Sequence, residues 1–135
     1  MVEKSLPPFA GKSILLAEDD IDNQELMFSM LEIMKCHLDI ANNGLEAIEK
    51  WKKNKYDLII MDIQMPMMDG FQTASEMRKL EGKKDHTLIL GLTASCFADD
   101  REKCFEAGMD GYLSKPITFD LLEKSILDLF LRTND

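Results

Sequence analysis

Short apolar runs alternate with helical spacings along most of the chain. Ser13-Ile14-Leu15-Leu16-Ala17 is followed at once by acids, and its length and flanks predict a buried strand. Leu26, Met27, Met30, Leu31 and Met34 then recur at helical spacing. His37-Leu38-Asp39-Ile40-Ala41 reads as a weaker second strand, Asn42-Asn43-Gly44 as a turn, and Leu45, Ala47, Ile48 and Trp51 as a second helix with Lys50, Lys52 and Lys53 at its C-terminal end. Tyr56 to Met61 is the clearest strand and runs into Asp62. A loop to Gly70 follows, then a helix carrying Phe71, Ala74, Met77 and Leu80, then a solvated loop from Glu81 to Asp85. Thr87 to Leu92 is a fourth strand ending at Thr93-Ala94-Ser95. A helix from Asp99 to Ala107 shows only Cys104 and Phe105 as an apolar face, with Gly108 as its C-cap. Gly111 to Ser114 is the fifth strand, closed by Lys115-Pro116. Thr118 is placed to cap a last helix with the stripe Leu122, Ile126, Leu129 and Phe130.

Strands alternating with helices in this way predict an α/β fold with a parallel sheet covered on both faces. Right-handed crossovers leave few windings, and a doubly wound five-stranded sheet of order 2-1-3-4-5 is the economical one. The expected division is a lead-in at 1–11, with prolines at 7 and 8 and a glycine at 11, one domain at 12–132 and a tail at 133–135.

Open parallel sheets bind ligands beyond the carboxyl ends of their strands, where strand order reverses. The residues at those ends are Glu18-Asp19-Asp20 after the first strand, Asp62 after the third, Thr93 after the fourth and Lys115 after the fifth. The winding gathers them at one crevice. Two carboxylates ~4 Å apart repel by roughly 4 kcal/mol at an effective dielectric of 20, so three need more than one lysine to balance them. Oxygen-only ligands with open positions suit Mg²⁺ better than zinc. A site with a cation, a lysine and a hydroxyl suits phosphate oxygens, and a carboxylate there can attack phosphorus to form an acyl phosphate.

Charge and composition narrow the partners. Of 135 residues, 16 are basic and 25 acidic, a net charge of −9, which disfavours nucleic acid and anionic membranes. No apolar run reaches the ~20 residues of a membrane span, and Met1 to Ser5 show no secretory signal. Cys36, Cys96 and Cys104 form no C-x-x-C pair and read as reduced thiols in a cytoplasmic protein.

The stretches Leu15-Leu16-Ala17-Glu18-Asp19-Asp20, Met61-Asp62-Ile63-Gln64-Met65-Pro66-Met67-Met68-Asp69-Gly70, Leu92-Thr93-Ala94 and Gly111-Tyr112-Leu113-Ser114-Lys115-Pro116 resemble the receiver domain of two-component response regulators. The resemblance runs from about Lys12 to Arg132, and its M-D-x-x-M-P-x-M-D-G block is highly specific. It implies the flavodoxin-like (βα)5 receiver fold. It further implies that Asp62 accepts a phosphoryl group from a histidine kinase or histidine phosphotransfer protein, with Mg²⁺ as cofactor. Asp19 and Asp62 would be metal ligands, Glu18 would act through a metal-bound water, and the Gln64 backbone carbonyl would complete the set. Lys115 would pair with Asp62 and then the phosphoryl group, and Thr93 would donate its hydroxyl. Tyr112 would be an aromatic switch, Ala94 would leave the approach open, and Lys115-Pro116 would be cis. Such a domain catalyses its own phosphorylation and dephosphorylation without being a turnover enzyme. Output would pass through the face of the fourth helix, fifth strand and last helix, where a homodimer could also form. Glu18, where many members carry Asp, and the Pro-Pro-Phe-Ala-Gly lead-in tilt the reading toward a hybrid histidine kinase over a free-standing regulator.

Ordinary structural readings stand beside these. Asp20 reads as a helix start, Asp57 as a cap or solvated group, and Tyr112 has sheet packing as its alternative. Met65, Met67 and Met68 are core filler or partner contacts, His37 and His86 structural or solvated, and Cys96, near Thr93, an inert thiol with a reactive one as its alternative. Two other functions remain: a receiver-like interaction module that is never phosphorylated, and a haloacid-dehalogenase-type phosphatase. The latter wants a second aspartate two residues after the first, where this chain has Gln64.

Overall fold

The computed structural model describes residues 9–82, 86–94 and 98–133. Ten elements alternate: β1 (Ser13–Ala17), α1 (Ile21–Ile33), β2 (His37–Ala41), α2 (Gly44–Lys53), β3 (Leu58–Asp62), α3 (Gly70–Glu81), β4 (Leu88–Thr93), α4 (Ala98–Glu106), β5 (Gly111–Ser114) and α5 (Phe119–Thr133). Every strand pair is parallel and the order is β2-β1-β3-β4-β5, as the winding predicts.

Successive strand side chains point to opposite faces, and this divides the core in two. Ile14, Leu16, Leu58 and Ile60 pack with Met27, Met30 and Leu31 of α1 and with Leu122, Ile126 and Leu129 of α5. Leu15, Ala17, Ile59 and Met61 face Ala47 and Ile48 of α2, Ala74 and Met77 of α3, and Cys104 of α4. β1, β3 and β4 are buried almost throughout, hence their continuous apolar runs. β2, one of the two edge strands, only alternates.

Some positions differ from the periodic reading. Leu26, Leu45, Leu80 and Phe105 are exposed, on the flanks of their helices. Tyr56 and Asp57 precede β3; Asp57 instead accepts from the Ser13 N–H at 2.8 Å and brackets the start of β1, the capping role expected of it. Asn42-Asn43-Gly44 is a helix start, with Asn43 accepting from the Glu46 N–H at 2.8 Å. Glu81 closes α3 and is no solvated loop residue: its carboxylate is buried against Arg78 and accepts from the Thr87 N–H. Phe9, placed by the prolines in an irregular lead-in, is buried and packs on Phe130 with ring centroids 6.5 Å apart. The expected caps at Gly108 (φ +95°) and Thr118 are present. Pro7, Pro8, Lys83 to Asp85, Ser95 and Cys96 lie outside the described residues. Among the described residues no helix is long and apolar enough to cross a membrane.

Candidate functional site

Four of the five strand ends, all but that of β2, deliver groups to the crevice. Glu18 follows β1, and its N–H extends the ladder to Ala41 at 3.0 Å. Asp62 is the last residue of β3 and pairs in register with Leu92. Thr93 ends β4 and is buried. Its carbonyl accepts from the Lys115 N–H at 2.7 Å, and the Lys115-Pro116 bond is cis.

The loop after Asp62 is held tightly enough to keep α3 against the acidic residue. The Gly70 N–H donates to the Ile63 carbonyl at 2.8 Å. A Cβ at Gly70 would stand 2.5 Å from the Asp62 carbonyl oxygen and 2.7 Å from Ile63 Cα, so only glycine permits this approach. Asp69 caps α3 in a reciprocal box with Gln72. Between Ile63 and Gly70, Met67 adopts φ +70° in a tight turn closed by the Met68 N–H on the Pro66 carbonyl, and the residue is 75% exposed.

Glu18, Asp19 and Asp62 each bring one carboxylate oxygen within 4.8 Å of the others. Glu18 and Asp62 are buried and Asp19 is exposed. Lys115 Nζ lies 3.3 Å from Asp62 Oδ2 and 3.6 Å from Glu18 Oε2. The other Asp62 oxygen accepts from the Gln64 N–H at 3.2 Å. Glu18 Oε1 accepts from the Asp20 N–H and the Asn23 amide, at 3.2 and 3.3 Å. Glu18 Oε2 is buried and, among the described residues, accepts no N–H hydrogen bond, with Lys115 in ion-pair range. Burial, then the hydrogen bond and charge of Asp62, push the Glu18 carboxyl from 4.5 up to about 7, against the pull of Lys115 and Asn23. Three carboxylates cluster where one ammonium reaches two of them, and Glu18 Oε2 accepts no hydrogen bond from the described residues; an oxygen-seeking divalent cation such as Mg²⁺ would satisfy both. A cleft of about 640 Å³ opens beside them, lined by Asp19, Gln64, Thr93 and Ala94 among others.

The expected residues thus converge, with Tyr112 set apart on β5. Its ring meets Phe105 edge-on at 6.2 Å and lies under the Arg101 guanidinium at 5.5 Å. Asp20 is the N-cap of α1, accepting from the Asn23 N–H, as its helix-start reading holds. His86 is at the far end of the sheet, its Nε2 2.6 Å from Asp110. Asn23 and Gln24 escaped the sequence reading. Gln24 donates its amide to the Glu18 carbonyl and to Asn42 Oδ1. Amides in a helix's first turn carry no spacing signal; only their place after the acidic run could have pointed to them.

A family model for the response regulator receiver domain matches residues 14–127. The chain is 43% identical over 119 residues to hybrid signal transduction histidine kinase G of Dictyostelium discoideum, covering 87% of this chain and 4% of that protein. The chain spans less than a tenth of the length of the histidine kinases it matches first. Among solved structures, the receiver domain of a Pseudomonas aeruginosa sensor histidine kinase, with a magnesium ion coordinated in its active-site cleft, superposes with a TM-score of 0.78 at 34% identity, covering 89% of this chain and 97% of that one. The receiver of a Saccharomyces cerevisiae response regulator, co-crystallised with a histidine phosphotransfer protein, gives 0.80 at 33%, covering 91% and 89%.

Proposed function

The chain belongs to the response regulator receiver family of two-component phosphorelay signalling, and on that premise we propose that Asp62 is its phosphoacceptor. The supporting observation is the convergence of Glu18, Asp19 and Lys115 on the Asp62 carboxylate. An Asp62 oxygen attacks phosphorus, the P–N bond of a partner's phosphohistidine breaks, and the imidazole leaves with its electron pair and takes a proton. The resulting acyl phosphate is later hydrolysed by water to carboxylate and inorganic phosphate. The domain promotes both steps on itself, by positioning and charge neutralisation.

Glu18, Asp19, Asp62 and the backbone carbonyl of Gln64 would hold Mg²⁺, the cofactor in the cleft of the Pseudomonas receiver. Bound there, the ion neutralises the carboxylates and the phosphoryl oxygens. Lys115 leaves its shared position between Asp62 and Glu18 for the phosphoryl group. The Thr93 hydroxyl donates to a phosphoryl oxygen, and Tyr112 follows it, resetting the α4-β5-α5 face. Moving a two-state equilibrium from 1:99 to 99:1 takes about 5.5 kcal/mol, which two or three charge-assisted hydrogen bonds largely supply.

The donor is a histidine kinase or a histidine phosphotransfer protein, the latter being the partner in the yeast co-crystal. The setting is cytoplasmic, as a hybrid-kinase module or a free-standing regulator, with residues 12–132 as the receiver and homodimerisation through α4-β5-α5 as one output. The test is phosphoryl transfer from a phosphorylated histidine phosphotransfer protein in the presence of Mg²⁺. Asp62→Asn is expected to abolish alkali-labile, hydroxylamine-sensitive labelling while the fold persists. Undiminished labelling of that variant would refute the assignment.

A further inference from the structure

Nothing intrinsic to a glutamate decides which of its two oxygens faces a site, because its terminal torsion is broad and nearly two-fold. At Glu18 the choice is made by neighbours. Both N–H donors that the described residues offer the carboxylate fall on Oε1, one the Asp20 N–H and one the Asn23 side-chain amide. Oε2 takes none of them and faces the crevice, 3.6 Å from Lys115 Nζ. Asn23 is itself anchored, its own N–H donating to the Asp20 carboxylate at 3.3 Å. The next residue, Gln24, ties down the Glu18 carbonyl, so main chain and carboxylate are held by separate amides.

On the phosphoacceptor reading, we propose that Asn23 is a positioning residue for the cation site: it saturates Glu18 Oε1 so that Oε2 is presented to Mg²⁺. Without its amide, Oε1 keeps one donor, and the repulsion of Asp62 can turn the carboxylate out of place. Cation binding must then restrict a freed torsion and overcome that repulsion. Residues of this kind typically change metal affinity by 10–100-fold when removed.

The test is calorimetric titration of the full chain with Mg²⁺ alone, for wild type, Asn23→Ala, Glu18→Ala and the double variant, with folding checked by circular dichroism. Asn23→Ala is expected to weaken Mg²⁺ binding by about tenfold. The same change is expected to have no further effect when Glu18 is already alanine. An unchanged Kd in Asn23→Ala, or an equal loss in the Glu18→Ala background, overturns the proposal. An independent readout needs no Asn23 variant: the Asn23 side-chain amide resonance should shift on Mg²⁺ addition in wild type and stay still in Glu18→Ala. An amide that does not move in wild type overturns the proposal equally. Wild-type protein that takes up no Mg²⁺ would defeat the phosphoacceptor reading itself, a separate outcome from loss of the Asn23 role alone.

Discussion

Lys115 Nζ stands 3.3 Å from Asp62 Oδ2 although 53 residues separate the two in sequence. The same ammonium is 3.6 Å from Glu18 Oε2, so one cation serves two buried carboxylates. Replacing Lys115 by alanine strands that negative charge. Lys115 itself is only partly buried, so the expected destabilisation of metal-free protein is about 1–3 kcal/mol. Mg²⁺ should recover part of it, because the cation ligands remain. Urea melts in chelator and in Mg²⁺ check this; equal destabilisation in both would contradict it. The phosphorylation-dependent change on α4-β5-α5 should be lost in the same variant.

The Glu18 carboxyl, raised from 4.5 to about 7, sets a pH dependence with an unusual sign. The folded state binds this proton more tightly than the unfolded state does. The contribution is therefore fully present below about pH 4.5 and is lost as pH rises through about 7. Its size is at most about 3 kcal/mol. In chelator, Glu18→Gln should be more stable than wild type at pH 8, and the gap should close toward pH 4.5. A stability difference that is constant with pH would rule this out.

Gly70 lets α3 begin against the backbone of Asp62. Gly70→Ala puts a methyl 2.5 Å from the Asp62 carbonyl oxygen, a contact that backbone must yield to. A loss of about 1–3 kcal/mol is expected, with slower phosphorylation because the displaced segment carries the acceptor. Thermal melts and phosphoryl-transfer rates measure the two effects. A variant with wild-type stability and rate would show that this approach is slack.

Tyr112 lies between the edge of Phe105 and the Arg101 guanidinium, both from α4. Tyr112→Ala removes the ring without touching the carboxylates. Labelling of Asp62 should be retained, while the change in hydrogen exchange of α4 on beryllofluoride binding should shrink. An undiminished α4 response would take Tyr112 out of the switch.

The apolar runs of β1 and β5 were legible to the residue, because each is short and bounded by polar or turn-forming neighbours. Leu26, Leu45 and Leu80 were not legible as exposed positions. Periodicity marks an apolar stripe, but which edge of it reaches the sheet depends on how the helix is rotated in packing. Phe9 was hidden by the adjacent prolines, since its burial comes from Phe130, 121 residues on, and no local pattern reports that pairing.

The chemistry at hand and the strand ends that carry it follow from the amino-acid order alone, because strand length, period and winding are governed by local rules. Tertiary structure alone decided that Glu18 takes its N–H hydrogen bonds on one oxygen and turns the other inward, and that Lys115 reaches two carboxylates at once. Those outcomes are set by distances of a few ångströms between side chains from different strand ends and from the first turn of α1, which only long-range packing defines.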